Sequence, residues 1–119
     1  MKDYAPISLK LHAAGDLIAL MFLLASPWLL GFSQYTTATQ YTVALVVIGM
    51  GLNFVTNYPL GLFKMLPFKW HRVVELTSPP IFIIAPWYLF ADAGLMPWVA
   101  SAVGVGAVMN SLFTRPVEF

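Results

Sequence analysis

The chain of 119 residues has no cysteine and few charged side chains, with six lysines and arginines against five acidic residues. Without cysteine there is no disulfide framework, no thiolate metal site and no thiol relay. The charged share of 9% is far below the roughly one quarter typical of soluble domains, and so few polar groups would not cover a soluble surface. A net charge of +1 argues against a nucleic-acid-binding face, which needs clustered basic residues.

Catalytic motifs are also lacking, since there is no phosphate-binding glycine loop, nucleophile elbow or His-Glu-x-x-His. What the sequence does have is apolar: 60% of its residues are hydrophobic. They form four runs of about 20 residues, each long enough to cross a ~30 Å hydrocarbon layer. The runs are about 13–32, 40–57, 73–91 and 93–113. We predict an all-α membrane protein with four transmembrane helices, a single transmembrane domain over residues 1–119 and no enzymatic activity.

The basic residues lie in alternate connections between these runs. They precede the first run, separate the second from the third and follow the fourth, as Lys2, Lys10, Lys64, Lys69, Arg72 and Arg115. The two other connections contain no basic residue, only Asp92. Short loops rich in lysine and arginine stay in the cytoplasm. We therefore expect both termini and the 58–72 loop to face the cytoplasm.

The two halves of the chain also resemble each other. Residues 12–32 align with 71–91 at an offset of 59, and the next helices align at an offset of 57. The matching pairs include rare residue types, and they are His12/His71, Asp16/Glu75, Pro27/Pro86, Trp28/Trp87, Gly49/Gly106, Asn53/Asn110 and Pro59/Pro116. Each half is then a helix hairpin, repeat 1 at about 10–59 and repeat 2 at about 69–116. Two hairpins that enter from the same side form a parallel repeat, with a pseudo-twofold axis along the membrane normal.

The first run closes on Ser26-Pro27-Trp28-Leu29-Leu30-Gly31-Phe32. This segment resembles the signature of the SPW-repeat family, small bacterial membrane proteins in which the motif ends the first of two transmembrane helices in each repeat. The second half resembles it less closely, because Ala85-Pro86-Trp87 replaces the tripeptide and Ser-Pro is displaced to Ser78-Pro79. The resemblance implies a multi-pass protein of the bacterial cytoplasmic membrane, and it supplies no active site.

A polar belt is predicted near the cytoplasmic boundary. His12 and Asp16 lie one helical turn apart, as do His71 and Glu75, so each pair shares a helix face. We interpret the belt as a pairing of the first and third helices, with Lys10, Lys69 and Arg72 supplying counter-charges. Two alternatives remain open, a divalent metal held by the four side chains and a haem or pigment held by the two histidines. No metal or cofactor is assigned.

Two further sets of residues have structural interpretations. Pro27-Trp28 and Pro86-Trp87 predict kinks and tryptophan anchors at the non-cytoplasmic interface, where Ser26 can bond a carbonyl freed by the proline. Small and amide side chains predict close helix packing and interhelical hydrogen bonds. The packing set is Ala19, Gly49, Asn53, Ser78, Gly106 and Asn110.

The connection at 58–72 mixes apolar and basic residues, and Pro59, Gly61 and Pro67 prevent a continuous helix there. We expect its apolar side chains either to lie in the headgroup region or, as the alternative, to form a docking surface for a cytoplasmic or membrane partner. They are Leu62, Phe63, Leu66, Phe68 and Trp70.

The function favoured by these observations is that of an accessory or structural subunit, which contacts the lipid bilayer and packs against other integral membrane proteins or itself. The first alternative is a small proton- or cation-coupled transporter that uses the acidic residues. The second is a cofactor-holding subunit that uses His12 and His71.

Overall fold

The computed structural model describes residues 6–114, and within that range it is helical throughout apart from loops and two isolated β-bridges. Lys2, Arg115 and Pro116, which entered the topology and repeat predictions, lie outside the described residues. The elements are α1 (Leu9–Leu29), α2 (Thr36–Val55), α3 (Phe68–Leu76), a π-helix (Pro80–Ile84), α4 (Ala85–Leu89) and α5 (Met96–Phe113).

Three of these helices, α1, α2 and α5, are long and apolar enough to cross a membrane, with mean hydropathies of 1.3 to 1.5. They coincide with the first, second and fourth predicted runs, with their ends moved by a few residues. Much of their outer surface is apolar and exposed, as at Ile18, Val47 and Ile48. A bilayer is the solvent that such a surface requires.

The third predicted run, 73–91, is not one continuous helix, and this part of the prediction is wrong. α3 ends at Leu76, and helical structure resumes after Thr77 and Ser78 as the π-helix and α4. Pro79 and Pro80 cause the break, because neither has an N–H to donate to the preceding turn. The Ser78 hydroxyl donates instead to the Glu75 carbonyl, at 2.7 Å.

The apolar core lies between the helix ends remote from the polar belt. It is formed by α1, α2, α5 and the two short connections, and includes Leu23, Phe32, Val46, Met96 and Ala100. A second, smaller cluster at the opposite end contains Ala13, Tyr58 and Phe68. α1 packs against both α2 and α5, while α5 also contacts α3 and the π-helix. The polar belt therefore lies beside the smaller cluster.

The loop between α2 and α3 folds back over the C-terminal end of α2. The Leu62 and Phe63 amides donate to the Phe54 carbonyl, so carbonyls that end the helix are satisfied. Gly61 is required there, since a Cβ would lie 1.8 Å from the Thr56 carbonyl oxygen. Leu62, Phe63 and Trp70 are exposed as expected.

The sequence prediction is wrong for one aromatic side chain of this segment. Phe68, expected among the headgroups, is buried and stacks on His71 with ring centroids 5.6 Å apart. It is the first residue of α3, directly after Pro67, and the helix turns its ring inward. Leu66 is half-buried rather than exposed.

Candidate functional site: a buried histidine–carboxylate cluster

The four residues of the polar belt come together in the interior as one histidine–carboxylate cluster. Two belong to α1 and two to α3, and they are His12, Asp16, His71 and Glu75. Both histidines are 0% exposed, while Asp16 and Glu75 are 7% and 8% exposed. Their ligand-capable atoms all lie within 4.8 Å of one another. The grouping predicted from the i, i+4 spacings is therefore present.

The strongest contacts cross from one helix to the other. His12 Nε2 lies 2.7 Å from Glu75 Oε1, and His71 Nε2 lies 2.9 Å from Asp16 Oδ2. The contacts within each helix are longer, 3.2 Å from His12 to Asp16 and 3.1 Å from His71 to Glu75. Each Nε2 therefore faces two carboxylate oxygens, and the cluster binds α1 to α3.

A threonine lies behind each histidine and fixes its orientation. His12 Nδ1 lies 2.6 Å from Thr114 Oγ1, and His71 Nδ1 lies 2.7 Å from Thr56 Oγ1. Each hydroxyl donates its only hydrogen to a helix carbonyl, Thr56 to Leu52 and Thr114 to Asn110. The hydroxyl oxygens must therefore accept a hydrogen from Nδ1. Consequently Nδ1 carries a proton in both rings, and the Nε2 atoms face the carboxylates.

The carboxylates are also held from α5. Asn110 Nδ2 donates to Asp16 Oδ1 at 3.0 Å and to the His12 carbonyl at 3.1 Å. The Ser111 hydroxyl donates to Glu75 Oε1 at 2.8 Å. Asn110 thus makes the interhelical bonds predicted for it.

Aromatic rings close the cluster on the side of the α2–α3 loop. Phe68 meets His12 edge-on at 5.0 Å, and Tyr58 lies 5.1 Å from His71. Burial, together with the charges of Asp16 and Glu75, raises the pKa of Tyr58 above its ordinary value. The phenol stays protonated and donates to Asn53 Oδ1 at 2.8 Å. Water is kept from the histidines by these rings.

The basic residues do not supply the expected counter-charges. Within residues 6–114, Asp16 and Glu75 contact the two histidines and form no ion pair with a lysine or arginine. Lys10 and Lys69 are exposed, and the Lys64 ammonium donates to the Tyr58 carbonyl at 2.8 Å. Arg72 is half-buried, yet in the described range neither it nor the exposed Lys10 and Lys69 contacts the two acids, which are buried against the histidines.

A cavity of about 640 Å³ begins at the cluster and runs between the helices. Asp16, Glu75 and Asn110 line one end, and the walls are small or apolar. Six of its lining residues are glycine or alanine, and they are Gly15, Ala19, Gly49, Ala102, Gly106 and Ala107. We call this cavity the small-residue groove.

One polar group beside the groove has no partner. Asn53 lines the groove and is 6% exposed, and its Nδ2 makes no hydrogen bond in the described part of the chain. The repeat alignment predicted an interhelical bond like that of Asn110, but among residues 6–114 the Asn53 side chain bonds only to Tyr58 in the following loop. A buried amide donor without an acceptor is destabilising by about 1–3 kcal/mol. A bound group that offered an acceptor would remove this cost.

The predicted packing residues divide into two groups. At Gly49 a Cβ would lie 2.7 Å from Leu20 Cδ2, so the helices approach closely there as expected. At Gly106 nothing lies within 4 Å, and the close approach in the second half is instead at Gly104, 2.6 Å from Phe82 Cβ. Gly106 therefore faces the groove. Ala19 and Ser78 also line the groove, and the Ser78 hydroxyl bonds to the preceding turn of its own chain.

The two Pro-Trp segments differ in the group that bonds to the backbone carbonyl left without a donor by the proline. Ser26 donates to the Leu23 carbonyl at 2.6 Å, which is the carbonyl that Pro27 leaves free. Pro86 follows a π-helix in which the Ala85 N–H donates to Pro80, so the carbonyl left free is that of Ile81. The Tyr41 hydroxyl of α2 bonds to that carbonyl at 2.6 Å.

The two tryptophans have unequal surroundings. Trp28 is 62% exposed. Trp87 is 37% exposed, donates from Nε1 to Ser101 Oγ at 2.8 Å and meets the Trp98 ring edge-on at 4.9 Å. The second tryptophan is therefore fixed by α5 and the first is free to contact lipid.

Comparisons with protein-family models, curated proteins and solved structures find no match to this chain. The site must therefore be interpreted from its own chemistry.

Four functional residues were missed by sequence reasoning: Thr56, Thr114, Ser111 and Tyr58. The threonines are 58 positions apart, one more than the alignment offset used for their helices, so the alignment did not pair them. A search for hydroxyl residues near each offset would have found them. Nothing in the sequence marks Ser111 or Tyr58.

Proposed function

We propose that the protein is a non-catalytic integral membrane protein that packs against another membrane protein as an accessory subunit, with the small-residue groove as its docking surface. The occupant is a single apolar transmembrane helix of the partner. The observation that carries this proposal is the open face at Gly106, in a mainly apolar groove whose lining also includes glycine and alanine on α1, α2 and α5. In a bilayer, helices associate where small residues allow backbones to approach.

The chemistry of the groove specifies what the partner helix presents. Asn53 Nδ2 has no acceptor and is itself buried, so we expect the side chain to turn into the groove on docking and to donate to a hydroxyl or carbonyl oxygen of the partner helix. The remaining walls are apolar and suit leucine, alanine or valine. Rim residues Ile18, Phe22 and Ile81 are exposed and would pack along the sides of such a helix.

The histidine–carboxylate cluster supports the docking role by keeping the groove in shape. It binds α1 to α3 at the end where the groove begins. Because one partner of each hydrogen bond lies in each half of the chain, the halves are held at a fixed spacing. A rigid groove loses less conformational entropy when a helix binds.

In this proposal the chain crosses the membrane four times as two tandem hairpins, the interrupted segment from α3 to α4 being the third crossing. Corresponding contacts support the repeat. His12 bonds to Thr114 and Glu75, and His71 bonds to Thr56 and Asp16. Bridges join Ile7 to Thr114 and Leu66 to Thr56 in the same way. The likeness to the SPW-repeat family and a bacterial cytoplasmic-membrane location belong to the same proposal.

Topology is tested by single-cysteine labelling, since the chain has no cysteine of its own. The proposal places Gln34 and Asp92 outside the cell and Lys64 in the cytoplasm. An impermeant thiol reagent should label Gln34→Cys and Asp92→Cys in intact cells and leave Lys64→Cys unlabelled. The reverse pattern would refute the orientation.

Docking is tested by gentle solubilisation of native membranes and capture of the tagged chain. Gly106→Leu fills the groove and should remove the partner, while the thermal stability of the chain itself is kept. Gly51→Leu is the matched control, because a Cβ at Gly51 also meets nothing within 4 Å but Gly51 does not line the groove. If the wild type is captured alone, or if both variants retain the partner, the docking proposal fails.

A second candidate, a proton- or cation-coupled transporter, is favoured by one observation. Asp16 and Glu75 belong to the wall of the groove, so ions entering it would meet both carboxylates. Reconstituted vesicles distinguish the candidates. A pH-gradient-driven flux that Asp16→Asn with Glu75→Gln removes would favour transport, and a flux no greater than that of empty vesicles would favour the accessory role.

A further inference from the structure

We infer that the histidine–carboxylate cluster binds one divalent transition-metal ion of the zinc class through His12, Asp16, His71 and Glu75. This deepens the role of the cluster in the proposed function, on which it rests, because a metal ion would bind α1 to α3 more firmly than hydrogen bonds alone.

The four atoms that face each other form a ring in which nitrogen and oxygen alternate. Its sides are 2.7, 3.2, 2.9 and 3.1 Å. A square with sides of about 3 Å has its corners about 2.1 Å from its centre, which is the bond length of zinc to imidazole nitrogen and carboxylate oxygen. The ligand atoms lie within 4.8 Å of one another, against a diagonal of about 4.2 Å in such a square, so a bound ion would draw the ring together slightly across its longer diagonal.

The ring nitrogens point in the direction that a metal requires. Because Thr56 and Thr114 accept from Nδ1, each neutral imidazole has its Nε2 lone pair toward the centre of the ring. Metal-bound histidines usually donate their other N–H to a fixed acceptor, which sets the tautomer. Asn110 and Ser111 hold the two carboxylates in a similar way.

Protons alone satisfy this ring less completely. If both Nε2 atoms carried a hydrogen, the ring would contain two N–H groups and four close nitrogen–oxygen contacts. Each N–H can point at one oxygen, so the contacts of 3.1 and 3.2 Å would lack a hydrogen. A cation at the centre attracts all four atoms at once. Two carboxylates and two neutral imidazoles leave a charge of −2, which a divalent cation cancels in a buried site with no lysine or arginine bound to it in the described range. Two added protons would cancel that charge equally, so the incomplete hydrogen bonding is what favours the cation.

The donor set selects the class of ion. Imidazole nitrogen with carboxylate oxygen suits zinc, iron, manganese and cobalt, whereas magnesium and calcium prefer oxygen alone. A haem or pigment does not fit here, because the carboxylate oxygens occupy the space between the two rings, whose centroids are only 5.5 Å apart. Binding of a haem or pigment between the two histidines would require Asp16 and Glu75 to move away from both Nε2 atoms.

The test uses the full chain in detergent, purified without a polyhistidine tag in metal-free buffer. Elemental analysis is expected to give about one transition-metal ion per chain. Stripping with a chelator should lower the melting temperature, and Zn²⁺ but not Mg²⁺ should restore it. In the stripped protein, Co²⁺ should give a visible absorption band that Zn²⁺ removes. A wild type without stoichiometric metal, whose melting temperature does not respond to Zn²⁺, would overturn the inference.

Threonine variants locate the ion without removing a ligand. Thr56→Val removes the acceptor behind His71 and should weaken Zn²⁺ affinity roughly 10- to 100-fold. The matched control is Thr42→Val in the same helix, since the Thr42 hydroxyl is also buried and also donates to a carbonyl one turn back, that of Ala38. Thr42→Val should leave Zn²⁺ affinity unchanged. Equal effects of the two variants would place the ion elsewhere and overturn the inference.

Failure here is distinguishable from failure of the docking proposal. Metal content is measured on the isolated chain and does not depend on a partner. A metal-free chain that still captures its partner through Gly106 would overturn the metal site alone. A chain with one metal ion that is always captured without a partner supports the metal site and refutes the accessory role.

Discussion

The two halves of the molecule are alike at one end and different at the other. At the polar end, each half supplies a histidine and an acid one turn later. Each half also supplies a threonine that accepts from Nδ1 of the histidine in the opposite half. At the Pro-Trp end, the first half keeps a regular helix with a serine bond, while the second has a π-helix and a bond from Tyr41. Four side chains that share one centre constrain each other, whereas a freed carbonyl accepts any nearby hydroxyl.

The largest expected effect on stability comes from substituting either of the corresponding histidines at the polar end. His12→Ala and His71→Ala should each lower the free energy of unfolding by about 3–5 kcal/mol, because either change leaves two buried carboxylates to share one histidine. The two losses should agree within about 1 kcal/mol. Thermal unfolding in detergent measures both, with the exposed Lys69→Ala as control. Very unequal losses would show that the halves contribute differently.

The next largest effect on stability concerns three helix glycines, two at close helix contacts and one facing the groove. Gly104→Ala should destabilise by about 1–3 kcal/mol, since the new methyl meets Phe82 Cβ, an atom close to the backbone. Gly49→Ala should be milder, because it meets the flexible end of Leu20. Gly106→Ala, with open space on its Cβ side, should stabilise by about 0.5–1 kcal/mol. Equal melting temperatures for all three variants would contradict the described packing.

The freed carbonyls provide a smaller effect. Ser26→Ala and Tyr41→Phe each remove one hydroxyl bond to a carbonyl left by a proline, so each should lower stability by about 1 kcal/mol. Tyr35→Phe is the control, an exposed tyrosine elsewhere on the bundle. If Tyr41→Phe behaves like Tyr35→Phe, the second half does not depend on this bond.

The smallest effect separates the two tryptophans. Trp87→Phe loses the bond to Ser101 and part of the contact with Trp98, a loss of about 0.5–1 kcal/mol. Trp28→Phe, at a largely exposed residue, should change the melting temperature very little. A larger loss at Trp28 would indicate an interface on that face that the isolated chain does not contain.

Much of the site could be predicted from the sequence because its spacing is local. His12 with Asp16 and His71 with Glu75 each share a helix face by their i, i+4 positions, and the offset of 59 brought the two pairs together. The threonines were not predicted because their contacts are tertiary. In addition, Thr56 and Thr114 are related by an offset of 58 residues, whereas the alignment of the second helices used an offset of 57. Asn53 and Asn110 were paired by that alignment, yet only Asn110 reaches α1.

The fold was predictable where apolar length decides it, as in α1, α2 and α5. It was not predicted at Thr77 and Ser78, although Pro79-Pro80 was a readable signal for a helix break. Apolar character outweighed that signal in the prediction of a continuous run over 73–91. The inward turn of Phe68 had no signal at all, because it depends on the space beside His71.

The central claim is that side chains from both halves form one coupled cluster, and a double-mutant cycle between His12 and Glu75 tests it most directly. His12→Gln, Glu75→Gln and the double variant keep hydrogen-bonding groups, and their unfolding free energies give the coupling. We predict a coupling of about 1–3 kcal/mol, against additivity for His12→Gln with Asp92→Asn at an exposed, distant acid. Additive losses for His12 and Glu75 would show that the two side chains do not interact, and would contradict the account.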